Sequence, residues 1–99
     1  MAEINVVAIL KAKEGREADV SAALQKALPA SRKDAGCLRY DLFVAQGAPG
    51  TLVMIEKWAS KEDLDAHFVS PHLGEAFTTV GDAFDGSPQI FMLDPVDVA

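Results

Sequence analysis

The sequence predicts an α+β fold with the ferredoxin-like, split βαβ arrangement, in the order β-α-β-β-α-α-β. Three observations carry this prediction. Strand-like runs occur near both ends of the chain, apolar residues recur at helical spacing over 16–33, and capping signals stand near residues 60 and 70. The 99 residues are expected to form a single domain, 1–99, because domains usually run about 50 to 200 residues.

The first two elements are a strand and a long helix. Residues 4–10 are apolar on both alternating faces, which is typical of a strand covered on both sides. The helix over 16–33 has apolar residues at i, i+4 and i+8 spacing and acidic residues near its N-terminus. Pro29 lies inside this helix, so we expect a kink there and a helix end near 34–36.

A hairpin follows the helix. The runs 37–45 and 51–59 are rich in strand-forming residues, and the segment 46–50 between them is rich in turn formers. Ser60, with Asp63 three positions later, then matches the spacing of an N-terminal helix cap. A short helix is therefore predicted directly after the second hairpin strand.

The last elements are a further helix and a closing strand. Ser70-Pro71 combines a capping serine with proline at the first helical position, and this helix is expected to reach about Phe84. Gly86-Ser87-Pro88 ends this helix, and residues 89–93 are predicted to form a strand. Helices cover only one face of such a sheet, so we expect a second copy to cover the other face. The chain would then be a homodimer, a dimeric α+β barrel.

Composition excludes several partners. Fifteen acidic residues against nine basic ones give a net charge of −6, which repels nucleic acid and anionic membranes. The apolar stretches are far shorter than the roughly 20 residues needed to cross a bilayer. The only cysteine, Cys37, fits a reducing compartment, so we expect a cytoplasmic protein.

The usual cofactor and metal motifs are missing from the sequence. Neither a GxGxxG nor a GxxxxGK[ST] phosphate loop is present, and no serine stands in a nucleophile elbow. The two histidines, His67 and His72, are five positions apart rather than the four of a zinc-binding helix, and no cysteine cluster accompanies them. We therefore expect no cofactor and no metal.

Polar residues embedded in apolar segments are the candidates for function. Glu56 shares a strand face with Met54 and Trp58, an unusual place for a carboxylate. In a structural role, Glu56 would pair with a basic side chain or cap nearby backbone. In a functional role, it would be a carboxylate with a raised pKa, or one that orients a histidine. Tyr40 and Trp58 are equally compatible with core packing.

The two histidines and Asn5 also allow both a functional and a structural interpretation. His72 stands in the first turn of a helix, where the dipole disfavours a positive charge and keeps the imidazole able to accept a proton. It could equally be a surface histidine, and His67 could be a buried histidine bound to backbone. Asn5 either orients a ligand or ends a strand ladder, and Phe68 is taken as apolar lining.

Three separated motifs resemble the antibiotic biosynthesis monooxygenase family, in particular its branch of small quinol monooxygenases. The sequence has Gly36-Cys37 followed by Tyr40, then Glu56, Trp58 and Ser60 at a strand end, then His67 followed by Pro71-His72. The resemblance spans nearly the whole chain. It implies a dimeric α+β barrel that oxidises electron-rich aromatics with molecular oxygen, without flavin, haem or metal.

The sequence departs from two other branches of that superfamily. Where the haem-degrading branch has asparagine, tryptophan and histidine, this chain has Ala8, His67 and Phe77, which disfavours haem cleavage. Where the branch acting on aromatic polyketides has a substrate-binding asparagine, this chain has Met54. The same fold also hosts an isomerase of phosphorylated sugar derivatives, for which only Arg32, Lys33 and Arg39 offer scattered candidates.

The function expected from these residues is the oxidation of a small quinol-like or anthrone-like aromatic by molecular oxygen. His72 or His67 is expected to act as the base, Glu56 to orient it and Tyr40 to donate a hydrogen bond. The substrate would be packed by the side chains of Trp58, Met54, Phe68 and Asn5. The alternatives are a non-catalytic dimeric module that binds a small hydrophobic molecule, or the isomerase.

Overall fold

The structure is a computed structural model that describes residues 3–96. Its elements, in chain order, are β1 (Ile4–Lys11), α1 (Glu17–Arg32), β2 (Cys37–Ala45), β3 (Ala48–Trp58), α2 (Lys61–Phe68), α3 (Pro71–Thr79), a 3-10 turn at Gly81–Ala83 and β4 (Gln89–Leu93). The strands form one antiparallel sheet with the order β2-β3-β1-β4. The predicted α+β, ferredoxin-like arrangement is confirmed.

The core lies between the helices and one face of this sheet. Most even-numbered residues of β1 and β3 are buried there, together with one side of α1: Val6, Ala8, Leu10, Leu52, Met54, Glu56, Trp58, Val20 and Leu24. In a strand alternate side chains point to opposite faces, so the even-numbered set defines the helix-covered face. Tyr40 on β2 joins it because it pairs with Glu56 across the ladder.

The odd-numbered residues form the outer face of the sheet, which no helix of the described chain covers. Val7 and Ile55 are half-buried at its centre, while Phe43 and Phe91 are 45% and 49% exposed at its sides. Asn5 belongs to this face, opposite Lys57 and Leu93 in the ladders. The outer face is therefore a largely apolar surface.

Two boundaries in the first half differ from the sequence prediction. α1 continues through Pro29 and ends at Arg32, slightly before the expected 34–36. β3 begins at Ala48 rather than Thr51, so the hairpin turn shrinks to Gln46-Gly47, where Gly47 adopts a φ of 78°. The earlier start of β3 is stabilised by the amide of Ala12, which donates to the carbonyl of Gly50 at 2.8 Å.

The helix predicted to reach Phe84 is shorter than expected, because α3 ends at Thr79. Two backbone hydrogen bonds to the end of β1 hold the following segment outside the helix. Lys13 donates to the carbonyl of Ala83 at 2.8 Å, and Asp85 donates to that of Lys11 at 2.7 Å. Within residues 3–96, no helix combines the length and apolarity required to cross a membrane.

Candidate functional site

A cavity of about 380 Å³ lies between the helix-covered sheet face and helices α2 and α3. This volume falls in the lower part of the range of about 300 to 1,000 Å³ usual for small-molecule sites. Its walls are mostly apolar: Ala8, Leu10, Leu24, Met54, Phe68, Leu73, Gly74, Phe77, Pro88 and Ile90.

Three polar side chains also line this cavity: Tyr40, Glu56 and His67. They come from β2, β3 and α2, so three separate elements bring them together. Tyr40 and Glu56 are direct partners across the β2–β3 ladder, which sets them side by side on one wall. All three residues are buried, at 5%, 5% and 2% exposure.

Helix α2 places His67 over the sheet. Its N-terminus is fixed by Ser60, whose hydroxyl accepts a hydrogen bond from the amide of Asp63, as the sequence predicts. Leu64 and His67, three positions apart, share the buried side of the helix. The His67 ring packs against Trp58 at a centroid distance of 4.7 Å and meets the Tyr40 ring edge-on at 5.0 Å.

Both histidines bind one carboxylate oxygen of Asp34, in the turn between α1 and β2. The distance to Asp34 Oδ2 is 2.9 Å from His67 Nδ1 and 2.8 Å from His72 Nε2. An ionised carboxylate only accepts hydrogen bonds, so each of these ring nitrogens carries a proton. A neutral His67 then has its lone pair on Nε2, for which residues 3–96 supply no hydrogen-bond partner.

Glu56 is held by Trp58 rather than by a histidine or a basic residue. The indole Nε1 of Trp58 donates to Glu56 Oε1 at 3.0 Å. Burial raises the pKa of the Glu56 carboxyl, and the Trp58 hydrogen bond and the charge of His67 oppose that rise without cancelling it. The raised pKa favours the protonated carboxyl, which accepts from Trp58 through one oxygen and can donate from the other.

Tyr40 brings a phenol to this wall. Burial raises the pKa of its phenol strongly, and the neighbouring Glu56 carboxylate adds to the rise. The hydroxyl therefore keeps its proton throughout the physiological range. The phenol therefore offers the cavity a proton donor, and beside it stands a carboxyl whose raised pKa favours the protonated form.

Five of the eight predicted site residues line the cavity: Tyr40, Met54, Glu56, His67 and Phe68. Trp58 is fully buried behind them and acts through Glu56. His72 lies outside, in a groove between α1 and α3, because its ring turns toward Asp34. Asn5 lies on the outer face, which corrects the expectation that it borders the ligand: its odd-numbered strand position points it away from the cavity.

Asp34 is the site residue that the sequence analysis missed. It stands 33 and 38 positions before its two histidine partners, in a turn, and no local pattern marks it. It also replaces Glu56 as the group that orients the histidines. The only available signal was its position at the expected end of the first helix.

The family model described as "Antibiotic biosynthesis monooxygenase" matches residues 3–79. The chain belongs to the antibiotic biosynthesis monooxygenase family. The resemblance to this family, noted from three motifs, is therefore confirmed. A curated relative from Mycobacterium tuberculosis, named "Putative monooxygenase Rv0793", is 28% identical over 96 residues, covering 97% of this chain and 94% of that protein.

Solved structures show the same family fold. The solved structure of Rv0793 superposes with a TM-score of 0.88 at 28% identity, and the match covers 99% of both chains. PA3566 from Pseudomonas aeruginosa gives a TM-score of 0.88 at 25% identity, over 98% of this chain and 97% of the other. Membership of this family and the names of these relatives support a monooxygenase-like oxidoreductase function.

Proposed function

We propose that this family member is a cofactor-free, quinol-type monooxygenase that oxidises an electron-rich aromatic, of hydroquinone or anthrone type, with molecular oxygen. The observation that carries the proposal is the placement of His67. Its Nδ1 is bound to Asp34 at 2.9 Å while its ring lines the apolar cavity. A carboxylate that fixes the tautomer of a buried imidazole is a general way to present the other ring nitrogen as a base.

The proposed reaction begins with transfer of the substrate's phenolic or enolic proton to His67 Nε2. The resulting anion gives one electron to molecular oxygen, and the substrate radical and superoxide combine into a peroxide. The distal oxygen of this peroxide takes back the proton that His67 holds. The O–O bond then breaks as the carbon that carries the peroxide loses its hydrogen, so that one water leaves and the quinone-type product remains. The substrate supplies all the electrons, so one oxygen atom enters the product and the other leaves as water.

The other residues of the wall hold the substrate during this step. The Tyr40 hydroxyl can donate to the oxygen of the anion, and the Glu56 carboxyl on the adjacent strand can do so while it holds its proton, a state that its burial favours. Trp58 keeps the Glu56 carboxyl in place through its 3.0 Å hydrogen bond. Met54 and Phe68 pack against the faces of the ring system and exclude water, which favours a reactive anion.

We also propose that the chain works as a homodimer in the cytoplasm. The support for the dimer is the apolar outer face of the sheet, where Phe43 and Phe91 are about half exposed. Burying this face against the same face of a second copy removes that apolar surface from water. The cytoplasmic location rests on the single cysteine, Cys37.

The test is oxygen uptake by metal-free protein with a panel of benzohydroquinones, naphthohydroquinones and anthrones. His67→Gln should lower the initial rate by about 100 to 10,000-fold, the usual contribution of a general base. His72→Gln is the matched control, because His72 lies outside the cavity, and its rate should fall less than tenfold. Equal losses in both variants would contradict the assignment of His67 as the base.

The same panel separates the two alternatives. Ligand binding with no oxygen uptake by the unmodified protein would identify a non-catalytic binding module and overturn the proposed activity. The isomerase has less support, because both arginines suggested for its phosphate site lie against Asp41. Arg39 Nε is 2.7 Å from that carboxylate, and Arg32 Nη2 is 3.5 Å from it.

A further inference from the structure

We propose that Asp34, His67 and His72 form a binding site for one divalent transition-metal ion of the Zn²⁺ type. We further propose that the bound ion prevents His67 from acting as the base of the proposed reaction. The three residues each offer one ligand atom, and these atoms all lie within 4.8 Å of one another. They come from the α1–β2 turn, α2 and α3, which is why the spacing of the histidines alone gave no sign of a metal site.

The geometry is close to that of a metal site. Zn²⁺ holds imidazole nitrogen and carboxylate oxygen at about 2.1 Å, so two ligand atoms of a tetrahedral site lie about 3.4 Å apart. Here the two nitrogen–oxygen distances are 2.9 and 2.8 Å. Each pair must therefore open by roughly half an ångström to admit the ion. Asp34 belongs to a turn, outside any helix or strand, and can make this shift.

The chemistry of the ligands selects the ion. Two imidazoles and a carboxylate suit Zn²⁺, Ni²⁺, Co²⁺ and Cu²⁺ better than Mg²⁺ or Ca²⁺, which prefer oxygen ligands. Ions can reach the site because the side chains of His72 and Asp34 are 22% and 21% exposed. That opening also leaves room for water as a fourth ligand. The net charge of −6 favours the approach of a cation.

Binding an ion changes which nitrogen of His67 carries the proton. Without the ion, Nδ1 donates its proton to Asp34 and the Nε2 lone pair is free. An ion bound at Nδ1 needs that lone pair, so the single proton of the neutral ring moves to Nε2 by exchange with water. Nε2 is then a donor and cannot accept a proton from a substrate. This second half of the proposal rests on the proposed function, whereas ion binding itself does not.

The binding is tested by calorimetry. The full chain is treated with a chelator, dialysed and then titrated with ZnCl₂. One Zn²⁺ per chain is expected. His72→Gln and Asp34→Asn should each weaken binding about tenfold or more, while the exposed Asp85→Asn should not change it. Absence of binding heat in the unmodified protein, or retention of full affinity in both ligand variants, would overturn the site.

A second measurement uses the unmodified protein, so its result does not depend on whether a variant folds correctly. Co²⁺ added to the unmodified protein should give the visible bands of a nitrogen and oxygen site, without thiolate-to-cobalt charge transfer. A thiolate band that disappears in Cys37→Ser would assign the ion to Cys37 instead and overturn the proposal. Circular dichroism of each variant confirms that the fold is retained.

The inhibition of His67 by the ion is tested by oxygen uptake with and without Zn²⁺. In the unmodified protein the rate should fall at least tenfold at saturating Zn²⁺ and return on adding chelator, whereas the His72→Gln rate should change little over the same Zn²⁺ range. Zn²⁺ that binds one-to-one without slowing uptake would overturn the inhibition and leave the site intact. If no substrate is oxidised, the proposed function fails, and the calorimetric titration still decides the metal site.

Discussion

Replacing Glu56 by glutamine should make the protein more stable at neutral pH and leave its stability unchanged in acid. Glutamine has nearly the same shape, and its amide oxygen can still accept the 3.0 Å hydrogen bond from Trp58 Nε1. What the substitution removes is the ionisation of a carboxyl that is only 5% exposed. Because burial raises the pKa of Glu56 in the folded state, ionisation favours the unfolded chain.

The sign and size of the effect follow from linkage. Below the ordinary glutamate pKa of about 4.3, the carboxyl is neutral in both states and the two proteins should be equally stable. As the pH rises through the raised pKa of folded Glu56, the unmodified protein loses stability and the variant does not. The plateau difference should be about 1.4 kcal/mol for each pH unit by which folding raises the pKa.

The assay is urea unfolding followed by the fluorescence of Trp58, the only tryptophan, at a series of pH values and one protein concentration. Glu14→Gln, in an exposed turn, is the matched control for loss of one negative charge. A stability difference that does not depend on pH would refute the reasoning. So would an unmodified protein that is more stable than the variant at neutral pH, because that result requires a carboxylate stabilised by the fold.

Three further outcomes can be checked separately. Gly36→Ala should destabilise the fold by about 1 to 3 kcal/mol in thermal or urea unfolding, because Gly36 has a φ of 77° and an added Cβ would collide with the Asp63 carboxylate. Gly74→Leu should weaken ligand binding at the cavity without lowering the melting temperature, since a Cβ there meets no atom within 4 Å. Gly74→Ala, which shares the gain in helix propensity, is its control. Ile55→Glu, at the centre of the outer face, should give particles of the 10.5 kDa chain mass in light scattering, and a dimer that persists would contradict the proposed interface.

The kind and order of the helices and strands, and much of one wall of the cavity, could be predicted from the sequence. The alternation of residues along β3 predicted that Glu56 shares a face with Met54 and Trp58, because strand periodicity is a local property of the backbone. The cap of α2 was equally predictable, since Ser60 and Asp63 are three positions apart and interact within one helical turn.

Which face of the sheet the helices cover depends on the tertiary fold. β1 is apolar on both faces, so its pattern could not tell whether the helices cover the face of Asn5 or that of Val6. The end of α3 was also set at a distance, by hydrogen bonds from the segment after it to the end of β1. Neither the covered face nor the end of α3 can be recognised from a short window of sequence.

The Asp34 cluster is the clearest case of a feature that the fold alone creates. Asp34 and His67 are 33 positions apart, and their contact exists because α2 lies back over the sheet next to the α1–β2 turn. Their separation along the chain carries no information about that approach. His72 joins them because α3 starts beside the same turn. The spacing of the histidines along the chain therefore does not indicate a metal site, although the folded chain brings three ligand atoms together.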